Sequence, residues 1–128
     1  MRVLLDTRTV LWWVTGGERL SDRARWAIED PANDVIVSVA SAWEIAIKAE
    51  RGRLALPAPA ERYVPELLRR FGFESLDVKM PHALRAGALP PHHRDPFDRL
   101  LIAQAQLEDM PLVTADPAIG LYEVDVIN

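Results

Sequence analysis

Hydrophobic positions cluster in short runs separated by longer helical stretches, and this alternation continues along the chain. Residues 2–5, Arg-Val-Leu-Leu, form an aliphatic run of strand length. Residues 7–14 follow with Val10, Leu11, Trp12, Trp13 and Val14. They are too apolar all round for a solvent helix, which predicts a helix largely buried or covered by a partner. Gly16 and Gly17 stop it, and Ser21 is a good N-cap for a helix running to about Asp30, with Pro31 just beyond. Residues 34–38, Asp-Val-Ile-Val-Ser, predict a strand of the buried parallel type. A helix over 41–51 ends at Gly52, Pro57 and Pro59 mark a linker, and another helix runs from about Ala60 to Arg70. Residues 73–78 predict a short strand, and a brief helix begins near Pro81. The segment 89–94, Leu-Pro-Pro-His-His-Arg, reads as a loop because the paired prolines favour extended backbone. Residues 95–109 carry the strongest helical pattern, followed by a strand over 111–114, a helical turn over 117–121 and a last strand over 124–127.

Strands alternating with helices predict an α/β domain with a mainly parallel sheet and helices on both faces. A length of 128 residues suits one domain, 1–128, with one core. Ligands of such sheets sit beyond the carboxyl ends of the strands, where Asp6 and Asp116 fall. Composition adds exclusions. With 49% hydrophobic and 27% charged residues the chain is of ordinary globular type, and the absence of cysteine removes disulfides, thiolate zinc sites and a cysteine nucleophile. No run approaches the roughly 18 apolar residues of a membrane span, and no signal-peptide pattern opens the chain, so a cytoplasmic protein is expected. A net charge of −4 argues against coating nucleic acid by bulk electrostatics. It leaves room for a nuclease, whose acidic metal site itself contributes negative charge. A local basic rim is available in Lys48, Arg51, Arg53, Arg94 and Arg99, for which a solvated face is the ordinary account.

Four acids stand where an apolar run ends or a helix begins: Asp6, Glu44, Asp98 and Asp116. Gathered together they would repel unless a cation lay between them, and a divalent metal is the usual solution. Each also has an innocent account. Asp6 can cap the element starting at Thr7, and Asp116 before Pro117 suits an N-cap. Ser41-Ala-Trp-Glu44 matches a capping box, with Lys48 at i+4 for a helix salt bridge. Asp95 can be an N-cap with Pro96 behind it, and Asp98 can then reach back as a capping box does. Asp98 also shares a helix face with Leu101, Ile102 and Ala105, where a carboxylate is costly unless paired or metal-bound. Capping and metal binding use the same places, because helix N-termini hold carboxylates in fixed poses. Four such acids in one small domain favour a shared site. His92 and His93 follow two prolines, and exposure is the expectation for them. Trp12 and Trp13 fit an interface or the core equally well.

Taken in order, Leu4-Leu-Asp6-Thr7, Ser38-Val-Ala-Ser41-Ala-Trp-Glu44-Ile45-Ala-Ile-Lys48, His93-Arg-Asp-Pro-Phe-Asp98-Arg-Leu-Leu-Ile-Ala-Gln-Ala105 and Leu112-Val-Thr114-Ala-Asp116 resemble the PIN domain. The likeness is nearest to the VapC-type ribonuclease toxins of toxin–antitoxin pairs, and it spreads over nearly the whole chain. It implies a three-layer α/β/α fold and a centre binding Mg2+ or Mn2+ through Asp6, Glu44, Asp98 and Asp116. It implies hydrolysis of single-stranded RNA or exposed RNA loops, with Thr114 orienting the fourth acid or a metal-bound water. A homodimer and a small VapB-like antitoxin are implied as partners, with no membrane. Two positions depart from the pattern. Relatives often have histidine where Arg8 stands, and Asp116 takes a position that is asparagine in many PIN domains. Arg8, Lys48 and Arg99 are the expected substrate phosphate contacts.

Other classes make different demands. A phosphatase using Asp6 as nucleophile wants a second acid two residues on, where Arg8 stands. A catalytically silent PIN-fold module acting through its partner would leave RNA intact in the presence of Mn2+.

Overall fold

The computed structural model describes all of residues 1–128. Five strands form one wholly parallel sheet: β1 (Arg2–Leu5), β2 (Asp34–Ser38), β3 (Glu74–Leu76), β4 (Leu112–Val113) and β5 (Val126–Ile127), in the spatial order β3-β2-β1-β4-β5. Six helices connect them: α1 (Thr7–Val14), α2 (Asp22–Glu29), α3 (Val39–Glu50), α4 (Ala60–Phe71), α5 (Met80–Ala88) and α6 (Pro96–Leu107). A 3-10 turn spans Ile119–Leu121.

The period of two along each strand divides the core. Val3, Leu5, Val35, Val37 and Val113 meet Val10 of α1, Ala24 and Ile28 of α2 and Leu67 of α4 on one face. Leu4, Ile36 and Leu112 meet Ala40 of α3 and Leu101, Ile102 and Ala105 of α6 on the other. Both faces are covered, so the strands are continuous apolar runs, as parallel sheets require. The result is a three-layer α/β/α arrangement.

The boundaries follow local chemistry. Ser21 caps α2, its Oγ accepting the Ala24 N–H at 3.0 Å. Gly72 ends α4 with φ of +70°, a left-handed conformation that glycine adopts without a Cβ clash. One expected boundary moves. Helix α3 starts at Val39, not at Ser41, because Ser38 at the end of β2 is the cap and accepts the Ala40 N–H at 3.0 Å. Ser41 and Glu44 therefore lie inside the helix, and the capping-box account of Glu44 fails. The strands β3, β4 and β5 are also shorter than the apolar runs that announce them.

The sheet reverses its winding beside β1. From β1 the chain moves outward to β2 and β3, then returns to β4 and β5 on the opposite side. The carboxyl ends of β1 and β4 flank the crevice that such a reversal opens.

Candidate active site

Strand β1 delivers Asp6 and β4 delivers Thr114 and Asp116 to that crevice. The two strand ends are tied directly, the Asp6 N–H donating to the Val113 carbonyl at 3.1 Å. Asp6 is buried and caps α1, its Oδ1 accepting the Thr9 N–H at 2.8 Å. Thr9 Oγ1 donates back to the Val113 carbonyl at 3.1 Å, fixing the first turn of α1 on β4. The buried Thr114 Oγ1 accepts the Asp116 N–H at 3.0 Å, and Asp116 Oδ1 accepts the Ala118 N–H at 2.9 Å. Thr114 thus sets the turn on which Asp116 stands.

Helix α3 adds Glu44. The Thr7 hydroxyl donates to Ser41 Oγ at 2.9 Å, so α1 and α3 are pinned together where Asp6 and Glu44 face the same cleft. Glu44 is 6% exposed; one oxygen pairs with Lys48 Nζ at 2.8 Å, while Oε1 is buried with no partner. Helix α6 adds Asp98 one turn inside its start, with Asp95 as the cap accepting the Phe97 N–H at 2.8 Å. Asp6, Glu44, Asp98 and Asp116 line one cleft of about 150 Å³, together with Thr7, Arg8, Leu11, Trp12, Lys48 and Asp95.

Histidine enters where exposure was expected. The His93 side chain is only 14% exposed, and its Nε2 lies 2.8 Å from Asp116 Oδ2 and 3.1 Å from Asp98 Oδ2. The cause is long-range. Tyr122, 29 residues away, accepts the His93 N–H at 2.8 Å and donates its own proton to the Pro90 carbonyl at 2.7 Å. His92, by contrast, is exposed as expected. Arg99 joins this clasp. Its guanidinium donates to the carbonyls of Pro90, His93, Ala86 and Leu89 at 3.0, 3.2, 2.8 and 2.9 Å. Prolines provide carbonyls but no N–H, and Arg99 satisfies the loop they build. Those four bonds engage the guanidinium's two NH2 groups, so Arg99 supports the loop where phosphate contact was expected of it.

The carboxyls differ in their proton affinity. Asp98 is pushed from 3.8 up to about 7, chiefly by burial, then by the charge of Asp95, with Asp6 and Glu44 adding to it against the opposing pull of His93. Burial also raises Asp116, yet the Ala118 N–H and the His93 hydrogen bond, with His93 and Arg8 close by, outweigh it, and its pKa falls below 3.8. A divalent cation suits this set: hard oxygen donors, an orphaned buried oxygen on Glu44, and an Asp98 that resists ionisation while no cation is near. The oxygens of Asp98 and Asp116 and a His93 nitrogen all lie within 4.8 Å of one another.

Residues 3–126 match the family model of the PIN domain. The chain belongs to the PIN domain family. Over 115 residues, 89% of this PIN chain and 86% of the relative, it is 35% identical to Ribonuclease VapC22 of Mycobacterium tuberculosis. It is 41% identical over 61 residues to Ribonuclease VapC16 of the same organism, a match spanning 48% of the chain and 43% of that protein. The PIN fold recurs in VapBC2 from Rickettsia felis bound to a promoter DNA fragment, with a TM-score of 0.73 at 15% identity, over 100% of this chain and 98% of that one. It recurs also in a toxin–antitoxin complex from Klebsiella pneumoniae, with a TM-score of 0.68 at 18% identity, over 98% and 96%.

Two further surfaces flank the PIN crevice or stand apart from it. A groove of about 410 Å³ continues from Glu44, Lys48 and Asp95 to Arg51, Arg53, Arg94 and Phe97. At its edge the exposed Trp43 meets Phe97 edge to face, ring centres 5.4 Å apart. Arg8 projects over Trp12, 5.9 Å from the ring centre, on the other rim. A concavity of about 1000 Å³ lies away from the acids against Arg85, Gln106 and Tyr122 to Asp125. It brings together none of the four acids, so size does not locate the chemistry here. No helix is long and apolar enough to cross a membrane.

Proposed function

We propose that this PIN domain, residues 1–128 acting as one unit, is an endoribonuclease dependent on Mg2+ or Mn2+ and the toxin of a type II toxin–antitoxin pair. The observation that carries the reading is the convergence of Asp6, Glu44, Asp98 and Asp116 on one cleft, with a Glu44 oxygen buried and unpartnered. The likeness to a relative named a ribonuclease over 89% of the chain supports RNA as substrate.

Asp6 and Asp98 are the direct ligands in this reading. Glu44 is a ligand or the base that orients water, and Asp116, held by Thr114, acts at the outer edge. A divalent cation held by these acids would lower the pKa of a water for attack on phosphorus and offset charge on the phosphoryl oxygens. The phosphate chain runs along Arg8 and Lys48 into the groove of Arg51, Arg53 and Arg94, while Trp43 and Phe97 offer faces for unpaired bases. Such a path takes a single strand. A VapB-like antitoxin is part of the proposal, supported by the fold shared with toxin–antitoxin complexes, and a homodimer and a cytoplasmic location complete it.

The test is cleavage of a mixed RNA pool with Mn2+, with EDTA, and with Asp6→Asn and Asp98→Asn. Asparagine keeps an acceptor for the Thr9 N–H, so Asp6→Asn should retain the capped α1 and a folded circular dichroism spectrum. Loss of cleavage by at least about a thousandfold in both variants is expected. Cleavage that survives EDTA, or that survives in both variants, overturns the metal site. Intact RNA with the wild-type chain and Mn2+ favours the silent binding module instead.

A further inference from the structure

We propose that His93 is a positioning residue of the cleft: an imidazole whose Nε2–H holds Asp116 beside Asp98 while the ring itself stays outside the metal's ligand set. Only the part of this that concerns metal rests on the function proposed above.

Proximity alone suggests the opposite, a three-ligand cluster of His93, Asp98 and Asp116. The proton inventory decides against it. His93 Nδ1 accepts the Asp95 backbone N–H at 3.1 Å. An amide N–H only donates, so Nδ1 presents its lone pair and the proton resides on Nε2. That Nε2–H then donates to Asp116 Oδ2 at 2.8 Å, and the same nitrogen lies 3.1 Å from Asp98 Oδ2. A histidine that binds metal through Nε2 needs the other arrangement. Its lone pair is on Nε2, and its Nδ1–H is donated to a carbonyl, carboxylate or water. Ligation by His93 would set two N–H groups against each other at the Asp95 amide.

The backbone that carries the ring is also fixed. Its backbone N–H is held by Tyr122, and its carbonyl is one of the four that Arg99 grips. Arg99 follows Asp98 directly on α6, so one helix carries both the carboxylate and the clasp for the imidazole beside it. Asp98 and Asp116 come from separate elements, the start of α6 and the loop after β4. No side-chain nitrogen other than His93 Nε2 lies against both carboxyl groups in the structure. His93 is the group that sets their separation before a cation arrives.

Long-range proton–nitrogen correlation on the full chain with 15N-labelled histidine tests the tautomer, without metal and with Mg2+. Only three histidines contribute. His82 is an internal reference, since its Nδ1 also accepts a backbone N–H, that of Lys79 at 3.0 Å. The Nε2–H form is expected for His93 in both states. An Nδ1–H form in either state overturns the proposal. Pulsed EPR of the Mn2+-loaded chain should lack the coupling of a directly bound imidazole nitrogen, and finding that coupling overturns it as well.

Two variants add a functional readout. Glutamine can place an amide N–H near the imidazole Nε2 position, whereas alanine cannot. His93→Ala should weaken Mn2+ binding by about 10-fold or more and lower RNA cleavage, and His93→Gln should restore most of both. Equal loss in the two variants, or no loss in either, counts against the donor role. Should His93→Ala fail to fold, the tautomer measurement and His93→Gln still decide. Failure of the wild-type chain to bind Mg2+ or Mn2+ would sink the proposed function instead, and the metal-free tautomer would still answer for His93.

Discussion

Two histidines in this molecule hold their protons in the same way and do different work. His82, on α5, is buried, accepts the Lys79 N–H on Nδ1 and faces the single carboxylate of Glu108 with Nε2 at 3.0 Å. His93 accepts the Asp95 N–H on Nδ1 and faces two carboxylates, with Glu44 and Asp6 lining the same cleft. Each histidine pulls its carboxyls down, yet the net shifts of Glu108 and Asp98 are opposite. Glu108 is held below its ordinary 4.5, chiefly by the hydrogen bond from His82. Asp98 is driven up to about 7 by burial and by neighbouring acids. A histidine against a carboxylate is therefore no mark of a functional site. What distinguishes the cleft is carboxylate in excess of the donors and cations available to it, a surplus that a divalent cation would relieve.

The largest effect expected separates the two places by what is lost. His82→Ala removes a ring that fills the core beside Gln104, and strips the Lys79 N–H and Glu108 of a partner. It should lower the free energy of unfolding by about 2–4 kcal/mol, from cavity and unpaired polar groups together. Urea denaturation measures this, and RNA cleavage per folded molecule should stay near wild type. A fall in specific activity comparable to that of His93→Ala would dissolve the distinction between them.

The contrast also shows which parts of the molecule were legible in the sequence. β1, β2 and α1 have the predicted limits, because their signals are local: aliphatic runs, an acidic cap and a glycine pair. Asp6, Asp98 and Asp116, at strand ends or a helix start, were visible for the same reason, whereas Glu44 stood out as a helix start although it lies inside α3. Ser41 misled because Ser38, three residues earlier, has identical capping chemistry, and only the end of β2 decides between them. His93 was hidden. Its surroundings in sequence are those of an exposed loop, and its burial comes from Tyr122 and from Arg99, whose role depends on the carbonyls that loop turns inward. The one local signal was the histidine two residues before a helix cap, a spacing that lets Nδ1 accept the Asp95 N–H.

Asp98→Asn comes next in size and acts against intuition. The folded carboxyl binds its proton more tightly than an unfolded one, about 7 against 3.8. Its contribution to stability is therefore complete below the unfolded value and is lost as pH rises through about 7. Asparagine escapes that loss. At about pH 8 the metal-free variant should be more stable than wild type by about 1–2 kcal/mol. This is less than the full shift would convert to, since the side chain is 20% exposed and partly screened. The two proteins should converge near about pH 4. A destabilised Asp98→Asn at about pH 8 would mean that the cleft carries no surplus of charge. Mn2+ binding should show the same proton from the other side. Apparent affinity should fall by up to about tenfold for each pH unit below about 7, with proton release detected by calorimetry in two buffers.

The smallest effect is the sharpest check on the pairing of the two sites. Glu108→Gln keeps an oxygen that can accept the His82 Nε2–H and removes only the charge that strengthens the bond, so about 0.5–1 kcal/mol should be lost. Here the sign is reversed. A depressed folded pKa contributes stability above the unfolded value, and the contribution disappears as pH falls through the folded one. The Glu108→Gln difference should therefore be flat above about pH 5 and vanish in acid, while the Asp98→Asn difference vanishes in acid and grows with opposite sign toward neutral pH. Stability profiles of the two variants, measured by urea denaturation across that range, should diverge from a common acidic origin. Parallel profiles would show that His93 and His82 sit in equivalent electrostatic surroundings, and that the crowding of Asp6, Glu44 and Asp98 is relieved by something other than a cation.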